Sequence, residues 1–305
     1  MNGFKADRKQ LEGLSRLVKE SFAADIAGKN ILFMDYPLHN NVGDWLIYHG
    51  TLNLLKNLGC TVKGQYSTHN YQNTFSQNIP KDWIILLHGG GNFGDIYDVH
   101  QNLRLDVIKQ FPEHKIIAMP QSVHYDDPKN FQRDAQFYLQ HKDLTVHIRD
   151  RESYDFLHAY LPETMLRLTP DMASTLIGRW PWTKGNKDTL YFRRKDKEAP
   201  AMQENLDNSF DWVNMFSSID RKIMGKIMRL ARLEGQYQRN LGAAYLWMHY
   251  TNFLLKKASA TFAPYQKVDT DRLHGMIFAL LLGKEVILRD NSYGKIGRYV
   301  GAWFK

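Results

Sequence analysis

The chain has 305 residues, 43% hydrophobic and 24% charged, which excludes a disordered or fibrous protein and suits two domains of roughly 150 residues each. Its single cysteine, Cys60, excludes a disulfide framework and a cysteine-built zinc site. A formal net charge of +8 favours anionic partners: phosphorylated metabolites, nucleic acid or an anionic membrane surface.

Charges throughout the first 30 residues argue against a signal peptide. Leu11, Leu14, Leu17, Val18 and Phe22 recur at helical spacing and predict an opening helix. Residues 30–36 (NILFMDY) read as a buried strand, 43–58 as a helix and 60–66 as a strand. WIILL at 83–87 is the strongest strand of the chain. A helix over 98–111, a strand over 115–119 (KIIAM), a helix over 128–140, a strand over 144–148, a helix over 152–160 and a strand over 165–168 follow. Strands alternating with helices imply a parallel sheet covered on both faces. At 178–188 Gly178, Pro181 and Gly185 break the rhythm and set a boundary between domains 1–180 and 181–305. The second half reads as a strand at 189–192, a charged loop at 193–208 and a long helical stretch at 221–257 broken near Gly235 or Gly242. A strand at 267–270, a helix at 273–282 and a strand at 285–288 complete it. The uncharged stretch 241–255 is shorter than the roughly 20 residues that span a bilayer.

Polar or glycine-rich segments follow four strands of the first half: NNVGD (40–44), HGGGNFGD (88–95), PQS (120–122) and RDRES (149–153). In open α/β sheets the carboxyl ends of strands form the ligand crevice. Any one segment is equally a strand-to-helix turn, but four together describe one wall of a site. HGGGNFGD has neither the dinucleotide glycine spacing nor the Gly-Lys-Ser/Thr of a P-loop. Its glycines would let a ligand approach the backbone, where exposed amides bind an anion. Asp44 and Asp95 both end an Asn-x-Gly-Asp pattern. Each is either a helix cap or a group that binds a sugar hydroxyl or takes its proton. In TDRLHG (270–275), Arg272 and His274 stand at a helix start. The Arg272 fork suits phosphate or carboxylate, and His274 exchanges a proton near neutral pH.

The segment 221–257 carries eight lysines and arginines against one glutamate, nearly the whole net charge. Apolar and aromatic residues interleave with them, which suits an anionic bilayer surface or a lipid-linked diphosphate; the bland alternative is a solvated basic face. No nucleic-acid motif is recognised, so no nucleic-acid partner is expected.

Taken in order, NVGD (41–44), LLHGGGNFGD (86–95), PQS, RDRES, TPD (169–171), FRR (192–194), TDRLHG and DNSYGK (290–295) resemble the polysaccharide pyruvyl transferases, over roughly 40–295. The resemblance implies two Rossmann-like α/β domains in a glycosyltransferase-B-like arrangement with an interdomain cleft. Domain 1–180 would be the acceptor side and 181–305 the donor side. It implies transfer of pyruvate from phosphoenolpyruvate to a pair of sugar hydroxyls of an exopolysaccharide or surface polysaccharide unit. A ketal forms and phosphate leaves. It places Arg272, Leu273 and His274 at the donor, with Arg149 or Arg151 as a second donor cation. Asn41, Gly90, Gly91, Asn92, Gln121, Ser122 and Lys295 become substrate contacts. The chemistry agrees. A donor with a phosphate and a carboxylate needs two fixed cations, His274 would supply the proton for the methylene carbon or assist the departure of phosphate, and Asp44 or Asp95 would serve as base. Phosphoenolpyruvate is then a substrate, and neither a cofactor nor a metal is expected. The expected location is the cytoplasm, at the inner face of the membrane, with a lipid-linked saccharide acceptor and peripheral contact through 221–257. Two alternatives stay open: a nucleotide-sugar glycosyltransferase on the same frame, with a nucleoside diphosphate in the second domain, and a non-catalytic membrane-surface assembly protein.

Overall fold

A computed structural model describes residues 3–71, 79–195, 209–289 and 294–304. The chain opens with α1 (Arg8–Ile26), whose start is fixed by Asp7: its carboxylate accepts the Gln10 N–H and the Gln10 side chain accepts the Asp7 N–H. The first sheet is built from β1 (Asn30–Met34), β2 (Thr61–Tyr66), β3 (Ile84–Leu87), β4 (Gly90–Gly94), β5 (Ile116–His124), β6 (Leu144–Ile148) and β7 (Leu166–Leu168). Between them run α2 (Val42–Asn57), α3 (Asp98–Gln110), α4 (Pro128–Gln140) and α5 (Arg151–His158). The strand order is β2-β1-β3-β5-β6-β7, with β4 beside β5, and every pairing is parallel. Every residue of β3 is buried, so IILL is a continuous apolar run rather than an alternating one.

The second half holds β8 (Lys187–Phe192), α6 (Ser218–Tyr237), α7 (Ala243–Phe262), β9 (Tyr265–Thr270), α8 (Leu273–Leu281), β10 (Glu285–Leu288) and α9 (Lys295–Trp303). Its three strands form a parallel sheet in the order β10-β9-β8. The basic helical stretch breaks between α6 and α7, where Gln238 and Gly242 take positive φ of 53° and 88°. Most of the expected charged loop, 196–208, and most of DNSYGK, 290–293, lie outside the described residues. No helix among the described residues is long and apolar enough to cross a membrane.

Two features depart from expectation. PQS does not follow β5 but lies inside it, and the glycine-rich segment after β3 is itself a strand. Both β3 and β4 run along β5, the first beside residues 116–118 and the second beside 121–124. Gln121 fills the break between them by donating to the His88 carbonyl at 2.8 Å. Glycine is required here by backbone proximity. A Cβ on Gly94 would lie 1.6 Å from the His124 carbonyl oxygen, and one on Gly89 would lie 2.7 Å from that of Pro120.

One apolar cluster joins the two sheets, running from β1 and α2 through Met172 to α7 and α8. At its centre Trp45 meets Phe216 and Trp247, with ring centroids 5.5 and 5.8 Å apart. The chain ends tie the halves further. Phe4 pairs antiparallel with Val286. From α9, Trp303 donates to the Arg149 carbonyl at 2.7 Å and Arg298 meets Glu152 at 2.6 Å.

A tight seam also joins α2 to residues 172–173. A Cβ on Gly50 would stand 2.1 Å from the Met172 carbonyl oxygen, whereas Gly225 in α6 has nothing within 4 Å. Gly50→Ala is expected to lose about 1–3 kcal/mol in urea unfolding by overpacking. Gly225→Ala is expected to gain about 0.5–1 kcal/mol from helix propensity.

Candidate active site

Residues that follow β1, β6, β8 and β9, with β4 and the starts of α3 and α9, surround a cavity of about 260 Å³. Asp171 anchors its floor. Its carboxylate is fully buried and takes the Arg149 Nη1 at 2.6 Å, the His274 Nε2 at 3.2 Å and the Ala173 N–H at 2.9 Å. Burial opposes the ionised carboxyl, but His274 and Arg149 outweigh it and hold Asp171 well below the usual carboxylate range. Arg149 is 2% exposed, and its Nε donates to Ser122 Oγ at 2.9 Å, which in turn donates to Asp150 at 2.7 Å. His274 reaches this place because Gly43 has no side chain: a Cβ there would lie 2.7 Å from the imidazole Nδ1. A Cβ on Gly91 would stand 3.4 Å from Arg149 Nη2 and 3.7 Å from Lys295 Nζ.

Arg272 lines the same cavity and is held from behind by Asp211. Its Nε and Nη2 reach the two carboxylate oxygens at 2.5 and 2.7 Å. Arg194, Trp212, Leu273 and Lys295 complete this cationic side.

The rest of the lining comes from the segment after β1 and the start of α3. Asn41 caps α2 through the Gly43 N–H and donates its amide to Asp44 at 2.9 Å. His39 Nε2 stands 3.5 Å from the same carboxylate. Burial alone would raise the Asp44 pKa, but His39, His274 and other imidazoles lower it below the usual range. Burial lowers that of His39, against the pull of Asp44. His100 Nδ1 meets both oxygens of Asp35 at 2.9 and 2.8 Å. Burial disfavours the imidazolium, yet Asp35 wins, and His100 titrates above the ordinary histidine value. Asp35 takes a positive φ of 63° to do this, a strained backbone for a residue with a Cβ. Behind this wall His88 is buried with both ring nitrogens unpartnered, and burial pushes it down to about 4, so it is neutral.

The structure therefore brings Asn41, Asp44, Gly91, Asn92, Arg149, Arg272, Leu273, His274 and Lys295 to one cavity. It does not bring the other candidates to the lining. Asp95 accepts the N–H groups of Asp126 and Asp127 and the Asn130 amide, so it fixes the entrance to α4 elsewhere. Arg151 is exposed on α5, over the Tyr154 ring. Gln121 and Ser122 act from behind, the first bound to His88 and Arg104, the second to Arg149. Gly90 backs Asp44: a Cβ there would lie 3.4 Å from its carboxylate. Arg104 is itself buried and donates to Asn92 Oδ1 at 3.0 Å, fixing that amide at the cavity. Sequence reading missed Asp35, His39, His100, Asp171, Arg194 and Asp211. Asp171 was visible only as part of TPD, and Asp35 only as an acid ending an apolar strand. Among the described residues no group of three or more His, Cys, Asp or Glu side chains is arranged to hold a metal ion.

Residues 41–293 match the family described as polysaccharide pyruvyl transferase. EpsO of Bacillus subtilis (strain 168), which carries the name pyruvyl transferase, is 35% identical over 277 residues, covering 90% of this chain and 85% of EpsO. Pyruvyl transferase 1 of Schizosaccharomyces pombe is 29% identical over 292 residues, covering 90% of this chain and 70% of its own. A crystal structure of an uncharacterised Klebsiella pneumoniae protein superposes with a TM-score of 0.60 at 20% identity, covering 94% and 93% of the two chains, which shows a shared fold alone. The chain belongs to the polysaccharide pyruvyl transferase family.

Asp171→Asn removes the partner of a buried guanidinium. It is expected to cost about 3–5 kcal/mol in chemical denaturation at neutral pH. Because the folded carboxyl is depressed, its contribution is present above the unfolded-state pKa and lost as pH falls through the folded one. The difference between parent and variant should therefore shrink in strong acid.

Proposed function

We propose that this cavity transfers pyruvate from phosphoenolpyruvate to a pair of hydroxyls on a saccharide of a surface or exopolysaccharide, leaving a ketal and phosphate. The observation that carries the reading is the make-up of one cavity. Arg149, Arg272, Arg194 and Lys295 line it together with Asp44, His39 and His100, the last held by Asp35. The cations suit the phosphate and carboxylate of the donor. The carboxylates behind Arg149 and Arg272 fix each fork before the substrate arrives, which is the preorganisation that stabilises developing charge. His274, held on Asp171, is the proton donor to the methylene carbon. The resulting cationic central carbon takes the first hydroxyl oxygen, and His100 accepts that hydroxyl's proton as a general base. Phosphate then leaves with its electron pair. The second hydroxyl adds, and its proton departs with the phosphate, so the reaction balances with no other reactant. We read the two sheets as the Rossmann-like halves of a glycosyltransferase-B-like arrangement, divided near residue 180, with the cavity in the cleft.

Incubation with phosphoenolpyruvate and a saccharide panel should release phosphate and add the mass of a pyruvyl ketal to a sugar. Binding of a nucleoside diphosphate without phosphoenolpyruvate turnover would favour the glycosyltransferase instead. Arg272→Ala should abolish donor binding, with only partial rescue by Arg272→Lys. His274→Ala should lower turnover about a hundredfold or more with donor affinity within a few-fold. As a base His100 works neutral, so the raised titration puts the acid limb of kcat/KM above the ordinary histidine range. Asp35→Asn removes the group that raises it and should move that limb to lower pH while reducing the plateau. A limb unmoved in Asp35→Asn would remove His100 from the mechanism.

A second feature supports contact with an anionic bilayer at the inner membrane face, where a lipid-linked acceptor would lie. Arg221, Lys222, Lys226, Arg229, Arg232, Arg239 and Lys256 are exposed on α6, α7 and their turn, among exposed Ile219, Tyr237, Leu241, Leu246 and Phe253. Lys257 is not part of this surface, because Asp220 holds it at 2.6 Å. Lys222→Gln/Lys226→Gln/Arg229→Gln should weaken sedimentation with phosphatidylserine vesicles, most at low salt. Unchanged sedimentation, or none for the parent, would leave a solvated basic face.

A further inference from the structure

A further cavity, of about 270 Å³, lies between β2 and the turn from α6 to α7. We propose that it is a second saccharide subsite, which holds the sugar next to the one that receives pyruvate. This rests on the pyruvyl-transfer reading for what the sugar is attached to, but not for the chemistry of the site.

Its walls are fixed. Glu234 is buried, and its carboxylate takes the Leu241 and Ala243 N–H groups, both at 2.8 Å, and the Asn70 amide at 2.8 Å. That one side chain joins α6, the turn, α7 and the segment after β2. Gly235 lets the two chains meet, since a Cβ there would lie 3.0 Å from the His69 carbonyl oxygen. The lining mixes carboxamides, rings and a thioether: Gln65, Gln238 and Asn240 with Tyr66, Tyr245 and Met248. The Gln65 carbonyl oxygen already accepts the Tyr48 hydroxyl at 2.7 Å, and that of Asn240 accepts the Gly242 N–H at 2.9 Å. Each therefore retains its NH2 group for a ligand acceptor. A sugar ring presents hydroxyls that donate and accept together with apolar C–H faces. Amides beside aromatic faces match both, whereas a lipid chain would need a wholly apolar trough.

Position ties this cavity to the first. Tyr66, at the carboxyl end of β2, pairs with Met34 and accepts the Tyr36 N–H at 3.1 Å. Between Met34 and Tyr36 lies Asp35, the residue that holds His100. The strand that lines the second cavity is thus the neighbour, at the usual spacing of about 4.8 Å, of the strand whose end holds His100. His69 lies on the same path, near enough for His39 and His100 to depress its protonation beyond the effect of burial and Arg232.

The test uses the full chain with cellobiose, lactose and maltose against their constituent monosaccharides, read by saturation-transfer NMR and by phosphate release with phosphoenolpyruvate. At least one disaccharide should bind about tenfold or more tighter than either of its monosaccharides. Tyr245→Ala, at a ring 62% exposed and so safe for folding, should erase that advantage, as should Asn240→Ala. Neither variant should change monosaccharide or phosphoenolpyruvate affinity. A panel with no gain from the second sugar, or a gain that survives both variants, overturns the proposal. Displacement of the disaccharide from these residues by inorganic phosphate would overturn it in favour of an anion site built on Lys63 and Arg239. Disaccharide binding lost in Tyr245→Ala, with no phosphoenolpyruvate turnover in the parent, would sink the transfer reading and keep the subsite; turnover indifferent to Tyr245 and Asn240 would do the reverse.

Discussion

A carboxylate with no exposure to solvent sits between a guanidinium and an imidazole, and the two halves of the molecule meet on it. Asp171 follows the last strand of the first sheet, Arg149 follows β6, and His274 comes from α8 behind the second sheet. The Tyr299 hydroxyl of α9 accepts the Asp171 N–H at 3.2 Å, so the last helix is tied to the same point. A buried ion pair adds little net stability over an apolar substitute, yet removing one partner is severe. Such a group is better understood as a positional constraint. It allows His274 and Arg149 one arrangement relative to each other, although they come from different halves of the chain.

The same device recurs around the cavity. Asp211 holds Arg272, Asp35 holds His100, and Arg104 holds Asn92. The loop between β1 and α2 is pinned by two indoles: Trp45 donates to the His39 carbonyl and Trp247 to that of Pro37, each at 2.8 Å. Arg272, His100 and Asn92 are thereby each oriented by a partner that does not itself line the cavity. The cost is borne in the backbone of Asp35 and in the unpartnered imidazole of His88. Such local exceptions belong where function overrides packing.

The alternation of apolar strands and amphipathic helices was legible because it depends on short-range periodicity. The boundaries of α2, α4 and β6 fall within a residue or two of their sequence reading. What escaped was non-local. Arg149 and Asp171 are 22 positions apart, Asp211 and Arg272 are 61, Asp35 and His100 are 65, and Asp171 and His274 are 103. No local pattern announces such pairs. Asp44 and Asp95 make the point from the other side. Both end Asn-x-Gly-Asp, and one turns to the cavity while the other caps a loop. Their difference is set by what the rest of the chain puts beside them. Strand β4 was hidden because glycine signals a turn in sequence, whereas here it permits a backbone to run against β5.

That last point changes what the glycine motifs are for. Read alone, NVGD and HGGGN suggest main chain opened toward a ligand. In the fold, the absent side chains make room chiefly for other parts of the protein. Gly43 admits the His274 imidazole, and Gly275 admits Phe192, against which a Cβ would lie at 2.7 Å. A methyl group at Gly43 would drive His274 off Asp171 without touching either residue's chemistry. The His274 imidazole and the Arg149 guanidinium share one carboxylate, so displacing the imidazole also leaves Asp171 to Arg149 alone. Gly43 and the charged residues after β6 and β9 are thus parts of one constraint: the His274 imidazole reaches Asp171, and through it Arg149, only where the start of α2 carries no side chain to stop it.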